Sequence, residues 1–250
     1  MSLDTSLLAL LSAMFLGGFV SGISGFAFSA VAGAILLQVY APMSAVPLMM
    51  ACALIAQLYG LFSLRGSMEW RKAVPLIVGG AIGIPIGLQI LKATDTHTFR
   101  LGFGIFLAAY AAYMLFWPAT LAARRKEGNV TTAAIGLAGG VVGGLSAFPG
   151  ALPTIWCDLR GFSKDLKRGM TQPYIALMQF LGVLLVFIKG DLPADFMPKL
   201  LWSLPAVIAG CVLGLALFGK VNDLVFRRVV LASLLISGLT MLYPQLVHHG

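Results

Sequence analysis

The chain of 250 residues is 59% hydrophobic and only 10% charged, with a formal net charge of +8 and a mean hydropathy of +0.94. A water-soluble domain of this length needs far more charge to cover its own surface, so a soluble enzyme is excluded and an integral membrane protein of many helices is expected. The basic excess does not point to nucleic acid, because it sits in short loops between apolar runs, where membrane topology accounts for it.

Met1-Ser2-Leu3-Asp4 lacks the basic stretch of a cleaved signal peptide, so the first apolar segment is expected to be retained. Apolar segments follow at 5–40, 44–64, 73–91, 99–117, 131–157, 170–188, 199–218 and 226–246. Six have about the twenty residues of a single spanning helix. The segments 5–40 and 131–157 are longer, too short for two full spans, and interrupted by Gly22-Ile23-Ser24-Gly25 and Gly143-Gly144-Leu145-Ser146. Each is read as a broken helix or re-entrant hairpin whose unwound backbone is protected inside the bundle.

With the N-terminus outside and each interrupted segment returning to the side it entered, 13 of the 17 basic residues fall in cytoplasmic loops. These include Arg65, Arg71, Lys72, Arg160 and Lys164, and the linker 119–130 is also cytoplasmic. Outside fall only Lys92, Arg100, Lys189 and Lys199. Trp70, Trp117, Trp156 and Trp202 lie near segment ends, where an interfacial aromatic belt is expected.

The two halves match. Gly17-Gly18-Phe19-Val20-Ser21-Gly22-Ile23-Ser24-Gly25-Phe26 aligns with Gly139-Gly140-Val141-Val142-Gly143-Gly144-Leu145-Ser146-Ala147-Phe148 at an offset of 122 residues, from Gly17 to Gly139. At that offset Gln57 falls on Gln179 and Gly60 on Gly182. With a small length change Pro75 and Gly80 fall on Pro205 and Gly210, and Phe99-Arg100 on Phe226-Arg227. Three full spans plus one returning segment make an odd number of crossings, so the repeats 1–118 and 131–250 are expected to be inverted. Inverted repeats with interrupted helices at matching positions are a secondary-transporter architecture, with the substrate at the repeat interface.

All acidic and basic residues and the three histidines lie in loops or at segment ends. Metal-cation transport, proton relay through carboxylates and intramembrane hydrolysis are therefore disfavoured, and no cofactor is expected. Cys52, Cys157 and Cys211 show neither metal-ligand spacing nor a disulfide framework. What remains suits an anion. Half-helices starting just after Ser24-Gly25 and Ser146-Ala147 would turn backbone N–H groups and positive dipole ends toward it, with Pro149 in the first turn of the second. The candidate substrate shell is Ser24, Gly25, Phe26, Gln57, Ser146, Ala147, Phe148, Thr171, Gln172 and Gln179. Competing readings stand beside it: glycine stripes such as Gly79, Gly83 and Gly87 serve close helix packing, glutamines can bond across helices, and Phe26 and Phe148 can plug the core.

The pattern Gly-Gly-x-x-Ser-Gly-x-Ser-Gly-Phe at Gly17 to Phe26, its weaker repeat at Gly139 to Phe148, and Arg168-Gly169-Met170-Thr171 resemble the sulfite exporter TauE/SafE family over the whole chain. The resemblance implies a bacterial-type inner-membrane permease for small anions, chiefly sulfite and organosulfonates. The second break departs from the family pattern, with Ala147-Phe148-Pro149-Gly150 in place of a further glycine-rich run. The expectation is an all-helical permease that binds a small oxyanion between two half-helix ends and passes it by alternating access. The partners are that anion and the lipid bilayer. Proton coupling and oligomerisation are left open, and the rival readings are a passive anion channel and a non-transporting assembly subunit.

Overall fold

A computed structural model describes residues 3–24, 27–63, 68–116, 128–217 and 223–247. Among them helix is the only regular secondary structure. The first half contributes α1 (Leu3–Ser24), α2 (Phe28–Val39), α3 (Pro42–Ser63), α4 (Trp70–Ala93) and α5 (Thr96–Phe116). The second contributes α6 (Asn129–Ser146), α7 (Ala151–Leu159), α8 (Lys164–Ile188), α9 (Phe196–Leu217) and α10 (Asp223–Val247). Among the described residues six of these, α1, α4, α5, α6, α8 and α9, are long and apolar enough to cross a bilayer.

Each interrupted segment resolves into a full-length helix followed by a short one. At 1.5 Å per residue the short helices α2 and α7 reach only about 18 and about 14 Å, well under a bilayer core of ~30 Å. Both fold back. The Tyr40 hydroxyl at the end of α2 donates to the Ser6 carbonyl at the start of α1, at 3.0 Å. α7 lies back along α6, with Pro153 and Pro149 against Gly139 and Gly143 of that helix.

Contacts at the two ends of the bundle group the loops as the charge pattern predicts. At one end Lys199 lies 4.4 Å over the Tyr40 ring, Arg100 donates to the Gln38 carbonyl at 3.3 Å, and Lys92 pairs with Asp191 at 2.7 Å. The hydroxyl and N–H of Thr98 donate to Asp95 there, which caps the start of α5 and holds its carboxyl below the usual range. At the other end the Glu69 N–H donates to the Gly169 carbonyl at 3.2 Å and Lys167 pairs with Asp158 at 2.6 Å.

The packing is reciprocal between the halves. α1 packs on α9 and α4 on α6, so the first helix of each half meets the fourth of the other. α3 packs on α8, and α5 on α10. Glycine makes the close crossings. A Cβ on Gly79, Gly83 or Gly87 of α4 would run into the carbonyls of Ala133, Leu137 or Val141 on α6. Gly136, Gly140 and Gly144 face back onto α4 in the same way, and Gly18, Gly22, Gly210 and Gly214 do so at α1–α9. The opposite face of α4 carries Val74, Val78, Ile82, Ile86 and Ile90, all exposed at a spacing of four residues, as a lipid-facing stripe requires.

The crossings revise one expected correspondence. Gly83 faces the Leu137 carbonyl and the Val141 N–H, whereas Gly210 faces the Phe15 carbonyl and the Phe19 N–H. Leu137 and Val141 stand 122 residues beyond Phe15 and Phe19. The packing counterpart of Gly210 is therefore Gly83, and Gly80 instead seats Tyr174 and Met178 of α8. Trp156 also departs from expectation. Trp70 and Trp202 are exposed near helix starts, but Trp156 is buried edge-on against Phe162 with the Arg160 guanidinium over its ring. Trp117 lies outside the described residues.

Candidate functional site

The start of α2 and the whole second break are buried. Ala27, Phe28 and Ser29 at the first, and every residue from Ser146 to Ala151 at the second, are closed off from the surface. α6 ends because Ala147 takes a left-handed conformation, φ 59° and ψ 19°. It is the one non-glycine residue with positive φ among those described, and a Cβ makes that conformation cost about 1–2 kcal/mol. The ends of α7 and α8 use glycine for the same turn, Gly161 and Gly190. There the N–H groups of Phe162 and Asp191 close back on the carbonyls of Cys157 and Val186.

Both short helices start without a side-chain cap, at Ala27 before α2 and at Gly150 before α7; at the second the Ala151 N–H reaches the Phe148 carbonyl at 3.4 Å. α8, by contrast, begins in solvent-facing chain with Ser163 capping the N–H of Leu166 at 3.3 Å. Two uncapped helix starts in buried surroundings leave N–H groups and positive dipole ends directed into the protein. Pro149 was expected in the first turn of the second half-helix. It stands instead in the break itself, packed on Gly143, because the helix starts only at Ala151.

Apart from Ser24, which ends α1, the expected site residues divide into three groups. Gly25 and Phe26 lie outside the described residues. Ser146, Ala147, Phe148 and Gln179 come together at the second break, where the Gln179 amide N–H donates to the Ala147 carbonyl at 3.3 Å. Phe148 is buried with its ring edge-on to Tyr110, centroids 5.3 Å apart. Gln57, Thr171 and Gln172 are buried on α3 and α8, the two third-position helices that pack on each other.

The hydroxyls do not point where the anion reading needs them. Ser24 donates to the Val20 carbonyl and Ser146 to the Val142 carbonyl, each at 2.8 Å, and Thr171 donates to Lys167 at 2.8 Å. Each bonds back one turn along its own helix. Ser29, missed by the sequence reading, behaves differently. It is 1% exposed and its hydroxyl has no partner. The signal was its place in the first turn after the break. Tyr174 was also missed. Fully buried, it donates to the Gly136 carbonyl at 2.8 Å and fills the space left by Gly80 and Gly139. Those glycines lie too far away in sequence to have announced it.

Among the described residues every fully buried polar side chain is a neutral hydroxyl or amide, and no cluster of residues able to hold a metal ion occurs. Two folded-back hairpins, buried uncapped helix starts and a neutral polar interior define a multi-pass helical membrane protein with a polar interior at its breaks.

The model of the family described as sulfite exporter TauE/SafE matches residues 10–241. The chain belongs to that family, a family of membrane transporters for sulfur anions and not of enzymes. No curated protein and no solved structure gives a significant match.

Proposed function

We propose that the protein is a secondary transporter that carries sulfite or a short organosulfonate across a bacterial-type inner membrane by alternating access. The observation that carries this reading is the pair of buried, uncapped starts of α2 and α7. A buried donor without an acceptor costs about 1–3 kcal/mol, and an oxyanion seated between two such ends satisfies several donors at once while matching their dipoles. The donors are neutral and fixed by the backbone, which suits an anion that must leave as readily as it enters.

In this reading the backbone N–H groups following each break hold the anionic head. The Ser29 hydroxyl adds a donor from α2, and Gln57, Gln172 and Gln179 close the shell. Ser24, Ser146 and Thr171 join it by rotating their hydroxyls off the carbonyls they now contact. Phe148 covers the second break. Reciprocal packing of first helix on fourth supports an inverted repeat, whose two halves exchange roles as the site opens to either side. The end bearing Glu69, Asp158 and Lys167 is the cytoplasmic one, on the basic excess of its loops.

Thermal stabilisation of the purified protein by sulfite, sulfate, thiosulfate, sulfoacetate, acetate and phosphate tests the site. Selective binding to the folded state at a hundredfold excess over Kd stabilises by about 2.7 kcal/mol. A selective shift with sulfite or a sulfonate is expected; equal silence from all of them contradicts the assignment.

A further inference from the structure

The second break holds an acceptor that an anion alone does not satisfy. Gln179 is 3% exposed, and its amide orientation is fixed because the Ala147 carbonyl can only accept, so the amide nitrogen must face it. The other end of the same amide, Oε1, is buried and has no hydrogen-bond partner. It is therefore a fixed acceptor at the second break, held on Ala147 four residues before α7 begins. A fully deprotonated oxyanion would place oxygen against oxygen there.

We infer that the site selects an oxyanion carrying its own hydrogen-bond donor, the donor seated on Gln179 Oε1 and the anionic oxygens on the helix-start N–H groups. The inference rests on the anion-site reading above and narrows its substrate class. Two sources share this chemistry: the O–H of hydrogensulfite and the N–H of an aminosulfonate. If sulfite is carried as hydrogensulfite, each anion brings one proton with it, and the protein needs no proton-relay carboxylate of its own.

Among the described side chains nothing around Gln179 competes for this titration. The titratable groups on the elements packed about it are Tyr174 on α8 itself, Cys52 on α3, Cys157 on α7, and Tyr110 of α5 against Phe148. Phenols and thiols ordinarily lose their protons above neutrality. The charged groups of α8, α7 and α4, including Asp158, Lys167 and Lys92, are at helix ends.

The test measures thermal stabilisation of the full-length protein by sulfite, aminomethanesulfonate and methanesulfonate across pH. Methanesulfonate is a permanent anion of similar size without an O–H or N–H. The expected result is sulfite affinity that follows the hydrogensulfite fraction and falls as pH rises. Methanesulfonate should bind about tenfold more weakly than the preferred ligand at every pH. Aminomethanesulfonate binding well where sulfite does not identifies the N–H source, and the reverse identifies the O–H source. In Gln179→Leu the preference over methanesulfonate should collapse; should that variant not fold, the wild-type ligand series decides alone. Methanesulfonate binding equal to both donors, or sulfite affinity rising as its proton is lost, overturns the inference while leaving the anion site standing. No binding by any of the three at any pH overturns both.

Discussion

The Gln179 side chain donates its amide N–H to the carbonyl of Ala147, the residue whose left-handed backbone ends α6. One bond thus joins α8 to the break between α6 and α7. The side chain that fixes the break is also the one that offers it an acceptor.

Ala147 itself tests how tightly that turn is specified. Glycine adopts the left-handed conformation freely, whereas a β-branched residue resists it. Ala147→Gly should change thermal stability little, because relief of backbone strain is offset by a looser unfolded chain. Ala147→Val should destabilise by about 2 kcal/mol or more. Thermal or denaturant unfolding in detergent checks the order, and a valine variant as stable as the glycine variant would show that the turn is not imposed as described.

Gly83 and Gly102 make a matched pair. A methyl on Gly83 would overlap the Leu137 carbonyl, a backbone atom that cannot swing away, whereas Gly102 on α5 has nothing within 4 Å of the same position. Gly83→Ala should destabilise by about 1–3 kcal/mol through forced separation of α4 and α6. Gly102→Ala should be neutral or stabilising by up to about 1 kcal/mol. Gly210→Ala should behave like Gly83→Ala if the α1–α9 crossing is its counterpart. Unfolding midpoints of the three variants decide the matter.

Tyr174→Phe isolates a single buried hydrogen bond, the one to the Gly136 carbonyl, and should cost about 1 kcal/mol. Tyr174→Ala also empties the space beneath Gly80 and Gly139 and should cost about 3–5 kcal/mol. Since Tyr174 lies outside the proposed anion shell, Tyr174→Phe should transport at the wild-type rate. A large transport defect with normal stability would bring Tyr174 into the mechanism.

Asp95 gives a pH dependence whose sign is fixed. Its folded carboxyl lies below the usual range because Thr98 donates to it. The stabilisation is present above the unfolded carboxylate value of about 3.9 and is lost as pH falls through the lower folded value. Asp95→Asn, which keeps an acceptor for the cap, should remove that acid-side component while holding neutral-pH stability close to wild type. Unfolding midpoints measured from neutral to acid pH distinguish the two proteins.

Much of this was legible from the residues because bilayer physics constrains spans strongly. Helix positions follow from apolar length, and the breaks from paired glycine and serine. The loop groupings follow from lysine and arginine placement. What was not legible depended on three-dimensional neighbours. The Gly80–Gly210 correspondence failed because a length change between the halves shifts the register, and only the facing carbonyls reveal that Gly83 is the partner. The early start of α8 came from the Ser163 cap in a charged stretch that hydropathy passes over. Trp156 reads as interfacial from its position, yet Phe162 and Arg160 fold over it. The serine hydroxyls were assigned by type, and type does not reveal that Ser24 and Ser146 bond back to their own helices while Ser29 does not.

The most direct test of the central claim is counterflow in proteoliposomes. Labelled sulfite is added outside vesicles containing the purified protein, with or without unlabelled sulfite inside. A carrier with one site exposed alternately predicts saturable uptake that internal sulfite accelerates, reduced in Ser29→Ala. Uptake that rises linearly with concentration and ignores internal sulfite would contradict alternating access and favour a channel, and no uptake above protein-free vesicles would contradict transport of sulfite altogether.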